Sequence, residues 1–305
     1  MAEDADLLGV VAAIPGVPPM NILFGAVKYL LRADDALAAW YPHLADTARE
    51  PDDDAFAAFR AFVLDRRDEV GAIASTRRTQ TNEVARCAAI LPWVAEAVAD
   101  WGEPPHAIDI GASAGLNLCL PDFEYRYGDR VIGRSPVVIP CENRGGFPLP
   151  DALPAFASRT GLDVDPIDIA DDDAVAWLEA LVWPEHEDRL ERLRAAIVIR
   201  RERDVAMVAG DAVETLLAVE GSLPAGPLLA WHTITIYQFS AEQRAALSAA
   251  FADIATRRPV VRIGFEGVRG TTGYAVRVGL DHDASPIVAR AQAHGRWIDR
   301  PEAAG

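Results

Sequence analysis

The segment Ile108-Asp-Ile-Gly-Ala-Ser-Ala-Gly-Leu-Asn117 runs an apolar stretch carrying one acid into a turn with two glycines and a hydroxyl. Glycines at such a turn let backbone N–H groups approach a bound molecule closely. Gly111, Ser113 and Gly115 also match G-x-S-x-G, the turn that lifts a nucleophilic serine above a sheet. On that reading Ser113 attacks an acyl carbon, and His282 or His294 comes late enough in the chain to act as its base. Such an elbow follows several sheet strands and an oxyanion-hole loop, whereas the hundred residues before Gly111 read as helices. The dinucleotide pattern G-x-G-x-x-G is not met, because Ser113 and Leu116 stand at its second and third glycine positions. A tight strand-to-helix turn without a ligand is the plain structural alternative.

The same segment resembles the first motif of class I S-adenosylmethionine-dependent methyltransferases, with Ser113 in place of the middle glycine. The resemblance implies S-adenosylmethionine as cofactor, with Asp109, Gly111, Ser113, Gly115 and Asn117 around its methionine end. Backbone donors of the turn would meet the carboxylate and Asp109 the ammonium. Gly210-Asp211-Ala212 lies where this fold reads the adenine amino group, so Asp211 and Ala212 are cofactor candidates. Asp211 with Glu214 also has capping-box form, which alone would explain both acids. The ribose hydroxyls want one carboxylate at the end of the second strand. Asp168 is preferred and Glu142 is the alternative, since residues 123–142 read as an inserted hairpin. Asp163, Asp165 and Asp171 surround Asp168, but Ile167 breaks the spacing of a calcium loop, so no metal is expected.

Trp231-His232-Thr233 and Tyr237-Gln238 follow the fourth strand, where methyltransferases of this class place substrate-contacting groups. His232 and Tyr237 are therefore the catalytic candidates, His232 as a general base of near-neutral pKa; a core histidine at a strand end is its structural alternative. Gln80, Asn82 and Arg86 put amides and a base at the start of an otherwise apolar helix. If a helical cap covers the glycine turn, they face the cofactor or a substrate carboxylate. A solvated helix cap is the alternative.

These residues need an α/β scaffold, and the pattern supplies one. Up to residue 103 the chain reads as helices, a cap followed by a catalytic-type domain over 104–305. Asp52-Asp53-Asp54 precedes the stripe Phe56, Phe59, Phe62, Val63 and favours a helix N-terminus over a metal site. Val84, Cys87, Leu91, Val94 and Val98 form a second helical stripe, starting near Thr81 and bending at Pro92. From Pro104, strands at 106–110, 205–209, 227–231 and 259–265 alternate with helices marked by Leu190, Leu193 and Ile197 and by the capping box Ser240–Gln243. Residues 274–280 alternate with period two, and Arg296–Ile298 is a candidate partner strand. Residues 120–160 read as an inserted hairpin turning at Gly128-Asp129. The expected fold is a Rossmann-like methyltransferase three-layer sandwich, mainly parallel, ending in an antiparallel strand pair.

Composition agrees with a small-molecule protein. The 305 residues carry 46 acids and 29 bases, a formal charge of −17, which disfavours nucleic acid and anionic membrane as partners. Three cysteines without paired spacing suggest neither disulfides nor a cysteine zinc site, and the acidic start does not resemble a signal peptide; a cytoplasmic protein is expected. Lys28 is the sole lysine.

Gln80–Pro92, Ile108–Leu118, Tyr125–Gly128, Ser135-Pro136 with Cys141-Glu142, Trp177–Pro184, Gly210–Ala212 and His294–Trp297 together resemble a bacterial family known as domain of unknown function 2332. The resemblance covers nearly the whole chain and implies a methyltransferase-like core, without a substrate. Cys119-Leu-Pro121 is less aromatic than that family leads one to expect, leaving the helix there open. Beside the methyltransferase stand two alternatives, the Ser113 hydrolase and a ligand-binding protein that kept the fold and lost catalysis.

Overall fold

The computed structural model describes residues 3–16 and 18–301. Its α-helices are α1 (Ala5–Ala12), α2 (Pro19–Leu30), α3 (Asp53–Asp65), α4 (Arg67–Thr76), α5 (Arg86–Ala99), α6 (Asp172–Ala180), α7 (Glu187–Arg201), α8 (Ala212–Ser222) and α9 (Ala241–Ile254). The strands are β1 (His106–Ile110), β2 (Glu124–Tyr127), β3 (Arg130–Ile132), β4 (Val138–Pro140), β5 (Glu142–Asn143), β6 (Ser158–Asp163), β7 (Ala206–Ala209), β8 (Leu228–Thr233), β9 (Val260–Gly267), β10 (Tyr274–Val278), β11 (Ile287–Ala291) and β12 (Trp297–Asp299). Two compact units emerge, Met1–Asn82 with Asp168–Arg194 and Glu83–Ile167 with Ala195–Gly305. The boundary expected near residue 103 thus falls between Asn82 and Glu83, because α5 packs over β8, β9 and β10.

The first unit is helical. Leu7, Ile22, Leu23, Val27, Phe59, Val63 and Val70 share its core with Trp177 of α6. Asp52 caps α3 as its spacing predicts, the carboxylate accepting the Ala55 N–H at 2.9 Å. Lys28 is buried, and its ammonium donates to the carbonyls of Glu179 and Val182 at 3.0 and 2.6 Å, where α6 ends. Burial pulls its pKa down to about 8.

The second unit is built on a nine-stranded sheet in the order β5-β12-β11-β10-β9-β8-β1-β6-β7. β7, β6, β1, β8 and β9 are mutually parallel; β10, β11 and β12 then meander antiparallel, and β5 runs parallel to β12. The chain leaves β1 toward β6 and β7 and then passes to its other side for β8 and β9. β1 and β8 therefore flank a topological switch point, where open α/β sheets leave a crevice beyond their carboxyl ends. Ile108, Ile110, Leu228 and Ala230 pack with Leu216 of α8 and with Leu247 and Phe251 of α9 on one face.

The strands expected from the pattern are present, with ends within two residues of the expected bounds. The meander exceeds the expected antiparallel pair, since β12 pairs with β11, a strand the pattern did not mark. The inserted hairpin turns at Gly128-Asp129 as expected, but β4 joins it in parallel with β2 to make a three-stranded sheet. The second helical stripe starts later than Thr81, at Arg86, with Pro92 inside α5.

Candidate functional site at the carboxyl ends of β1, β6 and β7

Gly111 and Gly115 both take positive φ, +75° and +71°, which explains the glycines without a ligand. Their open faces are filled by the chain. A Cβ on Gly111 would collide with the Thr235 side chain, and one on Gly115 would lie 2.8 Å from Met207 Sδ and 3.2 Å from Arg200 Nε. Ser113 is also left-handed, at φ +52°, and buried. The segment after the turn is a seven-residue 3-10 helix, Leu116–Asp122, in place of the expected α-helix; Pro121 lies inside it.

Asp163 ties the turn to its neighbours. As the last residue of β6, it accepts the Ser113 N–H on Oδ2 at 2.8 Å and the Asp165 N–H on Oδ1 at 2.9 Å. Its carbonyl accepts the Gly210 N–H at 2.9 Å, next to β7. Ile167 N–H closes the loop onto the Ser113 carbonyl at 3.0 Å. One residue thus joins the loops that follow three adjacent strands. Each of its carboxylate oxygens keeps lone-pair capacity for a further donor.

Asp109, the register partner of Trp231 on β8, is 1% exposed. Both of its carboxylate oxygens and the Trp231 indole nitrogen are buried without a hydrogen-bond partner. Burial raises its pKa well above 3.8; the indole stands near enough to oppose that rise, though outside hydrogen-bond geometry. A buried carboxyl left unbonded costs stability, so such a group calls for an explanation.

The other candidates fall in separate places. Asp211 caps α8, its Oδ1 accepting the N–H groups of Val213 and Glu214 at 2.8 and 3.2 Å, while the exposed carboxylate keeps Oδ2 for another donor; Ala212 opens that helix. Asp168 is exposed, bonds the Ala170 N–H at 2.8 Å and belongs to the first unit, as do Gln80 and Asn82. Glu142 sits on β5, at the sheet edge opposite β7, paired with Arg144 at 2.8 Å. The strand-end acid beside β1 is Asp163, which sequence reasoning weighed only as a metal ligand. Ser158-Arg-Thr-Gly-Leu-Asp163 holds a single apolar side chain and gave no strand signal.

Arg86 is buried in the second unit and donates through Nη1 to the Thr233 carbonyl at 3.0 Å and through Nε to the Ala293 carbonyl at 3.2 Å. It braces the end of β8. Asn117 Nδ2 donates to Thr233 Oγ1 at 3.2 Å, which links the glycine turn to the same strand end. Tyr237 is 70% exposed just beyond β8.

His232 is fully buried, and both ring nitrogens are engaged. Nδ1 lies 2.8 Å from Glu266 Oε1, and Nε2 takes the Arg262 Nε–H at 3.3 Å. Desolvation and the Arg262 charge hold its pKa well below 6.5, so Nδ1–H is the donor to Glu266 and the ring is neutral. Glu266 Oε1 also accepts the N–H groups of Thr235 and Ile236 at 2.9 and 3.1 Å. Ile234 is held at φ +56°, rare for a β-branched residue. This network holds the loop whose Thr235 side chain presses on Gly111. A general base needs an open nitrogen lone pair, and the geometry makes His232 a positioning residue instead. For the triad candidates, the His282 ring packs against His232 at 5.1 Å, and His294 Nδ1 is 3.2 Å from Glu83 Oε2, an ion-pair distance without hydrogen-bond geometry. Among the described residues no group of three or more acids, cysteines and histidines is arranged to hold a metal ion, and no helix is long and apolar enough to cross a membrane.

The sequence matches the model of one family, described as an uncharacterized protein conserved in bacteria (DUF2332), over residues 1–300. No curated protein matches it. With a match over almost its entire length, the chain belongs to the DUF2332 family.

Proposed function

We propose that the second unit binds S-adenosylmethionine across the carboxyl ends of β1, β6 and β7 and transfers its methyl group to a small molecule, on a Rossmann-like methyltransferase fold. The observation that carries this reading is Asp163, a strand-end carboxylate that clasps the glycine turn and retains acceptor capacity where two ribose hydroxyls need one carboxylate. The unbonded Asp109 carboxyl fits a ligand ammonium, and Asp211 Oδ2 fits the adenine amino group. Asp109 on β1, Asp163 ending β6 and Asp211 two residues beyond β7 suit a ligand with donors at three points. When bound, the cofactor supplies an electrophilic methyl on a sulfonium. The chain's own residues orient it: Asp163 fixes the turn, Arg86 and Asn117 brace the end of β8, and Tyr237 offers an exposed ring and hydroxyl to an acceptor. Alignment of acceptor and sulfonium, more than proton removal, then carries the acceleration.

The experiment is a thermal-shift and calorimetric titration with S-adenosylhomocysteine. Binding stabilises the fold by mass action, about 2.7 kcal/mol at a hundredfold excess over Kd. Asp163→Ala is expected to weaken binding at least tenfold. No binding at millimolar ligand refutes the cofactor, and binding without turnover leaves the ligand-binding protein that lost catalysis.

The positive φ of Ser113 favours one second reading, the hydrolase, because a nucleophile elbow holds its serine in strained backbone. It predicts fluorophosphonate labelling that Ser113→Ala abolishes, and an unlabelled wild-type protein removes it.

A further inference from the structure

The first unit carries a groove of about 820 Å³ between the 3-10 helix Ala36–Trp40, the start of α3 and the segment 184–187. That is within the range of small-molecule sites. Phe24, Trp40, Tyr41, Phe56 and Phe59 supply its aromatic walls, and Phe56 is 39% exposed although it belongs to the apolar stripe of α3. Five carboxylates, Asp46, Glu50, Asp52, Glu185 and Glu187, stand around it, and Arg49 is the one base among the lining residues. Arg49 is already committed. Its guanidinium carbon lies 4.3 Å from the Trp40 ring centroid, and Nη2 is 2.9 Å from Asp52 Oδ2 and 3.5 Å from Asp54 Oδ2. The side chain is 49% exposed, so it rests on the indole from the solvent side.

We propose that this groove binds an organic cation with an apolar body, such as a quaternary ammonium on an aromatic or alkyl group, with the cation over Trp40 where Arg49 now lies. Aromatic faces attract a cation through the ring quadrupole and need no hydrogen bond from it. The surrounding carboxylates add attraction over a Debye length and repel an anionic ligand of the same shape. Arg49 shows that the Trp40 face accepts a cation, and a ligand that also fills the aromatic groove gains apolar contact that the arginine does not make.

The test is isothermal titration of the full chain with benzyltrimethylammonium, with 3-phenylpropanol as an uncharged body and 3-phenylpropanoate as the anion. The cation is expected to bind at least tenfold tighter than either. Trp40→Leu removes that preference, Glu185→Gln with Glu187→Gln at the exposed rim weakens the cation severalfold without touching the core, and Arg49→Ala tightens it because the competing guanidinium is gone. Equal affinity for cation and alcohol, no binding at 10-millimolar order, or loss of binding in Arg49→Ala overturns the proposal; the last, with the anion preferred, marks Arg49 as an anchor for acids.

Discussion

Replacing Glu266 separates a carboxylate that holds a loop from one that merely occupies the core. Its Oε1 takes three donors, Thr235 N–H at 2.9 Å, Ile236 N–H at 3.1 Å and His232 Nδ1–H at 2.8 Å. Glu266→Leu leaves all three buried and unbonded, at about 1–3 kcal/mol each. Part of this returns, because a released loop lets Ile234 leave φ +56°, a strain of about 1–3 kcal/mol. Removing a buried carboxyl whose pKa burial has raised also relieves some desolvation. The net loss expected is about 3–5 kcal/mol. Glu266→Gln keeps a carbonyl oxygen for the same donors and should cost under about 1.5 kcal/mol. Urea unfolding followed by circular dichroism gives the global value, and amide hydrogen exchange at Thr235 and Ile236 gives the local one. A Leu variant within about 1 kcal/mol of wild type that still protects both amides refutes the reasoning, since the loop would then hold without the carboxylate.

Asp109→Asn should flatten the pH profile. The folded carboxyl keeps its proton well above 3.8, so wild-type stability falls as pH rises from about 4, where the unfolded chain ionises, through the folded pKa. Urea midpoints should agree near pH 4 and favour the variant at pH 8. The histidines act on the acid side: burial lowers His282 to about 3 and His232 well below 6.5, so the unfolded chain takes up protons first. Stability should drop below pH 6.5 by at most about 1.4 kcal/mol per unit for each ring, and His282→Gln should reduce that slope. Lys28, 8% exposed, should resist acetylation in native protein despite its lowered pKa and react fully in urea, as read by peptide mass spectrometry.

Much of the second unit was legible because parallel strands buried on both faces advertise themselves as apolar runs. β1 and β8 are buried throughout, and their sequences show it. Caps were equally visible, since Asp52 and Ser240 bond the amides that their spacing assigns them. What hydropathy could not show is how the helices divide. Cys87, Leu91 and Val94 mark α5 as buried without saying that its partner is the sheet. The return of Asp168–Arg194 to the first unit leaves no mark either, because Trp177 and Ala180 are ordinary core residues wherever they pack.

The site shows the same limit more sharply. Sequence spacing locates polar residues by their distance from recognisable strands, and β6 is not one of them. β6 needs Gly161 because Met207 and Ala112 already fill the space a side chain would take, so the position that permits close packing also erases the apolar signal. Without a visible β6, sequence spacing points to Asp168 as the strand-end acid, whereas in the fold Asp163 ends β6 and Asp168 lies five residues beyond it, its carboxylate closing its own turn. His232 differs in another way. It lies within β8 rather than after it; strand periodicity decides which face a side chain takes, and a one-residue difference separates Thr233, bonded to Asn117 of the glycine turn, from His232, buried against Arg262 and Glu266. Glu266 and Arg262 lie on β9, and pairing β9 with β8 in register, His232 opposite Gly264, is what gathers the network. A long-range register of that kind is settled only when the sheet is assembled, so the loop that presses Thr235 onto Gly111 could be found only in the fold.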